Sequence, residues 1–388
     1  MKYFYIKDNV CVPYKLILSK ISNFLIANGW ISVRKLGEAD ICIIGCCGAF
    51  HSLEDESLSF LAEAKKTTAE LIAFGCLIKI SPQKISKYKP DKSITASDWE
   101  RFETLIENPA VPLNKIPETY EFRLKEDYRL YDPKKQFLLI QTGCSANCPH
   151  CPHKIGIGDL KSRPSKELIW QVKSLTEKKD IDTLVLHGND TGSYGTDIED
   201  ITFPELIKKI LEFPPNLHLS QISTDWAYKY REELFDLLMN ESKIKEFQIL
   251  VQTTSNRLLK IMERKPVVND LYQYLKKLRL ARKDLILRTD IIIGYPTSTE
   301  EEDKETLQYV SELFDEIAVH GFELFPNTRM EQLDFDFHSQ NEINRRVNFA
   351  VDYLKSFQNI LVHRGGQVYK TLVDIEKPKD KMRIERAN

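Results

Sequence analysis

The sequence predicts an α/β protein in which a small N-terminal parallel α/β domain precedes a partial (β/α)6 barrel. Short β-branched runs alternate with stretches whose apolar residues recur every three to four positions, a pattern typical of parallel strands joined by amphipathic helices. The alternation stops once, in a polar, proline-containing segment at 106–135. We therefore predict a domain at 1–105, a linker at 106–135, a barrel at 136–340 and a C-terminal helix with a short tail at 341–388.

The first domain has the predicted order β-α-β-α-β. Its strands are KYFYIK, ADICIIG and LIAFG, and helical spacing covers 15–28 and 57–66. Each strand is followed by cysteine: Cys11, then Cys46 and Cys47, then Cys76. Because ligands collect where parallel strands end, we expect these thiols to meet at one edge of the sheet.

Six further β/α units follow the linker. Their strands are FLLIQTGC, TLVLHG, NLHLSQIS, EFQILVQ, LILRTDIIIG and EIAVHGFELF, and a final long helix is predicted at Asn341–Leu361. Six units rather than eight predict a barrel with one open side and an active site at the carboxyl ends of the strands. The tail contains one β-like run, QVYKTLVDI.

Composition excludes several classes of protein. The 388 residues are 42% hydrophobic, and 55 Lys and Arg against 57 Asp and Glu give a net charge of −2, so no global positive field attracts nucleic acid. There is no apolar stretch near the ~18 residues of a membrane span, so we expect no membrane partner and a cytoplasmic location. Eight cysteines, none after Cys151, indicate metal binding or catalysis rather than a disulfide scaffold.

The sharpest motif is C-x3-C-x2-C at Cys144, Cys148 and Cys151, placed where the first barrel strand ends. Three thiolates on one loop can hold three irons of a [4Fe-4S] cluster and leave the fourth iron open to a small chelating molecule. A zinc site completed by His150 or His153, or a chance spacing, are the alternatives.

This motif and its context resemble the radical S-adenosylmethionine (SAM) superfamily, and the chain from residue 1 to about 360 resembles its methylthiotransferases of the MiaB/RimO type. The resemblance implies two [4Fe-4S] clusters and SAM, whose cleavage gives a 5′-deoxyadenosyl radical that abstracts hydrogen from an unreactive carbon. The segments that carry it lie at 39–47, 74–76, 143–163, 186–195, 251–264 and 289–296.

The resemblance also assigns site residues. Cys144, Cys148 and Cys151 would bind the cluster that activates SAM, and Cys11, Cys47 and Cys76 the cluster that carries sulfur, with Cys46 as the alternative to Cys47. Cys42 alternates into a strand interior and is predicted to be a core residue. The SAM contacts would come, each against a purely structural alternative, from Gly188, Asn189, Ser223, Arg163 and Tyr295.

The expected reaction is attachment of a methylthio group to an unactivated carbon, fed by an electron donor such as flavodoxin or ferredoxin. The near-neutral charge and the 24 residues beyond Arg364, too few for the family's RNA-binding TRAM barrel, favour a peptide or protein side chain over a tRNA adenosine. Sulfur insertion or thioether formation without methyl transfer stays open, since Gln248 and Leu250 depart from the family pattern. A cluster-bearing protein without catalysis is the remaining alternative.

Overall fold

The structure, a computed structural model, describes residues 1–116, 134–178, 180–364 and the backbone of 367–368. The chain forms two compact units. The first comprises Met1–Ile181, His187–Asn189 and Leu324–Glu331, and the second comprises Asp182–Leu186, Asp190–Glu323 and Gln332–Asn388. Among the described residues, no helix is both long enough and apolar enough to cross a membrane.

The first unit contains a five-stranded parallel sheet in the order β2-β1-β3-β4-β5. Its strands are β1 (Lys2–Lys7), β2 (Trp30–Ser32), β3 (Ile41–Gly45), β4 (Glu70–Gly75) and β5 (Lys92–Thr95), and its helices are α1 (Val12–Ala27), α2 (His51–Ala64), α3 (Leu77–Ile80) and α4 (Pro82–Ser86). The predicted β-α-β-α-β core is confirmed. The short strands β2 and β5 were not predicted, because three or four residues are too few for a recognisable period.

Local sequence explains the central elements of this sheet. β3 is a β-branched run whose five residues are all buried, as expected for a strand covered on both faces. α1 begins with Pro13 in its first turn, where the missing N–H has no partner to lose, and buries Tyr14, Ile17, Ile21 and Phe24 along one face.

The remainder of the first unit carries the C-x3-C-x2-C loop. Its elements are β6 (Lys135–Leu139), β7 (Gln141–Thr142), α5 (His153–Ile157), β8 (Lys161–Ser162) and α6 (Ser165–Lys178). β7 and β8 pair antiparallel on either side of the loop. Ile140 donates a backbone hydrogen bond to the carbonyl of His187, which places the residues before the loop beside the Gly188–Asn189 segment.

In the second unit the strands pair in chain order from β9 to β15, parallel except for the last pair. This open parallel array with intervening helices confirms the predicted fold class. The elements are β9 (Thr183–His187, its last residue belonging to the first unit), α7 (Phe203–Ile210), β10 (Asn216–Ser223), α8 (Thr224–Lys229), α9 (Arg231–Asn240), β11 (Ile244–Leu250), α10 (Asn256–Ile261), α11 (Val268–Ala281), β12 (Ile286–Ile293), α12 (Glu300–Leu313), β13 (Glu316–Gly321), α13 (Gln340–Lys355), β14 (Leu361–Arg364) and β15 (Gln367–Val368).

The predicted extent of the final helix, Asn341–Leu361, is wrong at its carboxyl end. α13 stops at Lys355, and Leu361–Arg364 form a strand parallel to β13. The apolar run Ile360, Leu361 and Val362 is buried there, and Leu361 donates a backbone hydrogen bond to Asp315 at 2.8 Å. Pairing with a buried strand outweighs the helical spacing that the same residues display.

Two predicted segments, the linker and the strand of the tail, lie largely outside the residues that the structure describes. The linker at 106–135 includes residues 117–133, and the β-like run of the tail is described only at Gln367–Val368, both of which lie in β15. The domain boundaries predicted at 105, 135 and 340 stay predictions.

Candidate functional site

Three cysteines of the first unit follow three adjacent strands of its sheet. Cys11 is the residue before α1, Cys47 lies two residues after β3, and Cys76 directly follows β4. β3 pairs with both β1 and β4, so the carboxyl ends of these strands lie side by side. The Cys76 thiol hydrogen-bonds to the Cys47 sulfur, and Gly48 donates its backbone N–H to the Cys76 Sγ at 3.3 Å.

The pKa values of these thiols reflect their closeness. The hydrogen bond from Cys76 holds the pKa of Cys47 at about 7, below the usual value of 9.0, and the same bond together with burial raises the pKa of Cys76. Burial of the sulfur and then the charge on Cys47 raise the pKa of Cys11 to about 12. Three thiolates would therefore repel one another strongly, and a cationic iron–sulfur core is the kind of group that neutralises such a donor set.

The neighbouring Cys46 points away from this triad. Its Sγ lies 3.3 Å from the carbonyl oxygen of Ile44, and burial raises its pKa to about 12. It packs in an apolar cluster with Cys42 and Leu61, which confirms Cys42 as a core residue. Of the two adjacent thiols, Cys47 is the one that interacts with Cys11 and Cys76.

The second set of cysteines sits on the loop between β7 and α5. Gly143 adopts φ +72°, and a Cβ there would lie 1.9 Å from the carbonyl oxygen of Asp159, so only glycine fits. Lys154 Nζ donates to the Cys144 carbonyl at 2.6 Å, and Ala146 N–H donates to the Cys144 Sγ at 3.4 Å. Cys144, Cys148 and Cys151 are each partly exposed, whereas Cys47 and Cys76 are buried.

Helix α5, which directly follows the loop of Cys144, Cys148 and Cys151, packs against Cys76 within the first unit. A Cβ on Gly156 would lie 2.3 Å from the Cβ of Cys76, so the backbone of α5 runs directly against that residue. His153, on the same helix and two residues after Cys151, interacts with the charge on Cys47. Burial lowers the pKa of His153 and so favours the neutral imidazole.

Several buried polar atoms around the cysteines have no hydrogen-bond partner among the described residues. They are the hydroxyl of Tyr14, Nε2 of His153 and both amide atoms of Gln141. Leaving such atoms unpaired is costly, so they fit a site that receives further polar or sulfur-containing groups.

The donor set consists of two groups of three thiols, which is the ligand chemistry of iron–sulfur clusters. Within the described part of the chain, no three His, Cys, Asp or Glu side chains converge as they would around one metal ion. The ligands of a [4Fe-4S] cluster bind different irons, so they are spaced more widely than the ligands of one ion, and all-thiol triads suit such clusters.

Three predicted SAM contacts lie beside the cysteine loop. Asn189 Oδ1 accepts the Gly143 N–H at 3.1 Å, and a Cβ on Gly188 would lie 2.8 Å from Cγ of Gln141. Arg163 donates from one nitrogen to the Leu139 carbonyl and to Oε1 of Gln171, both at 2.9 Å. Asn189 thus contacts the residue before Cys144, Gly188 contacts β7, and Arg163 contacts β6 and α6. The contact of all three with SAM stays a prediction.

The other two predicted contacts lie in the second unit. The Ser223 N–H and hydroxyl both donate to the Asp190 carboxylate at 3.2 Å, and burial raises the pKa of Asp190 to about 6. The Tyr295 ring is fully buried and packs edge-on against Phe322.

The same unit contains polar residues that the sequence did not reveal as a group. Asp290 accepts hydrogen bonds from Gln248 at 2.8 Å and from His320 at 3.1 Å. Although burial acts to raise the pKa of Asp290, these two bonds and the charge of His320 keep it below its usual value. Nearer the amino ends of the strands, a row of ionisable side chains in contact runs across five strands and consists of His218, Glu246, Arg288, Glu316 and His363.

Sequence reasoning missed Tyr14, His153 and Gly156 as parts of the site. Tyr14 and Gly156 have spacing and burial typical of core residues, and His153 was weighed only as a zinc ligand. The omission of Gly156 follows from its distance along the chain from Cys76, since only tertiary packing brings these two residues together.

The sequence is similar to one protein family and to several proteins of known name. The family model described as "Radical SAM superfamily" matches residues 138–310. A relative described as "Ribosomal protein uS12 methylthiotransferase RimO" from Alkaliphilus oremlandii is 26% identical over 382 residues, 94% of this chain and 84% of that protein. A "Probable threonylcarbamoyladenosine tRNA methylthiotransferase" from Methanocaldococcus jannaschii is also 26% identical, over 95% of this chain and 87% of that protein.

The fold also matches solved structures. The radical SAM methyltransferase TsrM from Kitasatospora setae superposes with a TM-score of 0.64, covering 92% of this chain and 89% of that one at 13% identity. At that identity the match concerns the fold alone.

Proposed function

We propose that this chain attaches a methylthio group to an unactivated carbon of a peptide or protein side chain. The radical SAM family model matches residues 138–310, and the chain is similar to RimO-type methylthiotransferases along most of its length. The observation that carries the proposal is that α5, the helix directly after the C-x3-C-x2-C loop, lies against Cys76 within one compact unit.

The cofactors of the reaction are two [4Fe-4S] clusters and SAM. Cys144, Cys148 and Cys151 are the proposed ligands of the first cluster, and Cys11, Cys47 and Cys76 those of the second. When bound, the first cluster with SAM supplies hydrogen abstraction from carbon, and the second supplies the sulfur. We assign the electron for this chemistry to a flavodoxin or ferredoxin.

The chain's own residues contribute positioning. Gly143 and Lys154 fix the backbone that precedes and includes Cys144, and Asn189 holds Gly143 from the other side. Gly156 permits the close approach of α5 to Cys76. Holding two reacting centres at a set distance converts an encounter into an intramolecular step, which is a large part of what a protein adds to cofactor chemistry.

Two features support a protein substrate. Relatives at 26–28% identity are named for the ribosomal protein uS12, and the balanced charge of this chain does not provide the excess of Lys and Arg that phosphate binding uses. A tRNA adenosine is the second candidate, since the M. jannaschii relative is named for tRNA.

The test uses the full chain, reconstituted with iron and sulfide and supplied with SAM and a chemical reductant. We expect cleavage of SAM and a mass increase on a peptide or protein substrate that matches one methylthio group. The Cys76→Ala variant should retain SAM cleavage and lose sulfur insertion, and Cys42→Ala, which removes a core thiol, serves as the matched control. Methylthiolated product from Cys76→Ala would contradict the role given to the second triad.

A parallel incubation with tRNA, followed by mass spectrometry of its nucleosides, separates the substrates. A methylthio-adenosine product would overturn the choice of protein. A product with sulfur added but no methyl group would instead identify a sulfur-insertion or thioether-forming enzyme.

A further inference from the structure

Tyr14 has a buried hydroxyl that is exposed to the charges of two of the proposed cluster ligands, Cys11 and Cys76. Its ring lies on α1, one turn after Cys11, and its backbone N–H donates to the Cys11 carbonyl at 3.0 Å. The residue is only 1% exposed, and its hydroxyl has no hydrogen-bond partner among the described residues. Buried tyrosine hydroxyls usually find a partner, so this one calls for an explanation.

The surroundings of the hydroxyl identify the missing partner by its chemistry. The charges that act on the Tyr14 hydroxyl are those of Cys11 and Cys76, from two different strands of the sheet. The buried hydroxyl therefore lies within electrostatic range of two of the three thiols in this set. Sulfur atoms that carry negative charge are the acceptors available there once a cluster is bound.

We propose that the Tyr14 hydroxyl donates a hydrogen bond to a sulfur atom of the cluster held by Cys11, Cys47 and Cys76, which makes Tyr14 a positioning residue that raises the reduction potential of that cluster. The inference rests on the proposed function, because it takes these cysteines as ligands. Hydrogen bonds to the sulfurs are among the factors that set cluster potentials. Reduction adds negative charge to the cluster, and a donor hydroxyl stabilises the more negative state.

The test isolates the second cluster. In a full-length background carrying Cys144→Ala, Cys148→Ala and Cys151→Ala, the midpoint potential of the remaining cluster is measured by redox titration followed by electron paramagnetic resonance. Adding Tyr14→Phe removes one hydroxyl and keeps the ring, so we expect a cluster with a lower midpoint potential.

Tyr309→Phe is the matched control. Tyr309 is also buried, but its hydroxyl donates to the Val268 carbonyl at 3.0 Å in the second unit, so its removal should leave the potential unchanged. Tyr14→p-aminophenylalanine restores a donor at the same place and should return the potential toward that of the background protein. This variant also decides the question if Tyr14→Phe loads the cluster poorly.

The outcomes distinguish a failure of the role given to Tyr14 from a failure of the ligand assignment. A loaded cluster whose potential is the same with Tyr14 and with Phe would overturn the role of Tyr14 and leave the ligand assignment intact. A background protein that binds no cluster would overturn the assignment of Cys11, Cys47 and Cys76, and the inference with it.

Discussion

A methyl group added at Gly156 should disrupt the packing of α5 against Cys76. The Cβ introduced by Gly156→Ala would lie 2.3 Å from Cβ, 2.8 Å from Cα and 2.9 Å from the carbonyl oxygen of Cys76. Non-bonded carbon atoms prefer about 3.5–4.0 Å, so α5 or Cys76 must move by roughly 1 Å. Both sides of the contact are backbone or Cβ atoms, and no side-chain rotation relieves it.

The energetic cost can be worked from these distances. Overpacking of a well-packed site costs about 1–3 kcal/mol, and the gain from alanine in a helix returns up to about 1 kcal/mol. We therefore expect a net loss of about 1–2 kcal/mol. For a unit of this size, that corresponds to a fall in the melting temperature of about 2–8 °C.

The assay combines thermal unfolding with iron analysis of the reconstituted protein. Because the displaced residue is Cys76, iron content should fall by up to half while the cluster on Cys144, Cys148 and Cys151 is retained. Gly37→Ala is the control, because nothing lies within 4 Å of its added Cβ, and its stability should stay within about 0.5 kcal/mol of the original. Unchanged melting and iron content in Gly156→Ala would refute the close approach.

Three further predictions concern other residues. Cys47→Ala should abolish loading of the second cluster, whereas Cys46→Ala should retain it, because the Cys46 thiol faces the Ile44 carbonyl. Iron content and electron paramagnetic resonance compare the two variants. Equal losses of the cluster would contradict the distinction between the two thiols. Arg282→Met should lower the free energy of unfolding by at least about 2 kcal/mol in a denaturant titration without loss of iron, since Arg282 donates to the carbonyls of Leu238, Glu241 and Ile244. Burial raises the pKa of Asp190 from 3.8 to about 6, so the folded state binds this proton more tightly than the unfolded state does. The protonated carboxyl therefore contributes about 3 kcal/mol to the free energy of unfolding below pH ~4, and this contribution is lost as the pH rises through about 6. Relative to the original protein, Asp190→Asn should become more stable between pH 4.5 and 7.5 in urea unfolding, and a difference independent of pH would argue against a raised pKa.

The order of strands and helices followed closely from periodicity. β3 and β4, and the strands from β9 to β13, are apolar runs bounded by glycine, polar residues or turns, and amphipathic spacing located the helices between them. The exception at Leu361 is instructive, because its apolar neighbours suit a helix face as well as a buried strand. Only the presence of β13 beside them decides between the two.

Part of the candidate site could likewise be predicted from the sequence, and part of it is visible only in the structure. The motif at Cys144, Cys148 and Cys151 is contiguous, so its spacing and its place after a strand predict a cluster site from the sequence. The choice between Cys46 and Cys47 depends on which side of a turn each thiol faces, and that is visible only in the contacts of Ile44 and Cys76. The polar chain through Gln248, Asp290 and His320 joins residues from three strands, and no local pattern announces it.

By itself, the sequence determined an α/β chain with two sets of cysteines, each placed where strands end, because strand periodicity and cysteine spacing are local properties. Tertiary structure alone decided that α5 lies against Cys76, that Cys46 belongs to the apolar core, and that the Tyr14 hydroxyl is buried within electrostatic range of the Cys11 and Cys76 thiols without a partner among the described residues. The physical reason is that these features depend on the distance between atoms far apart in the chain. Such distances are set by packing, which no single segment of the sequence contains.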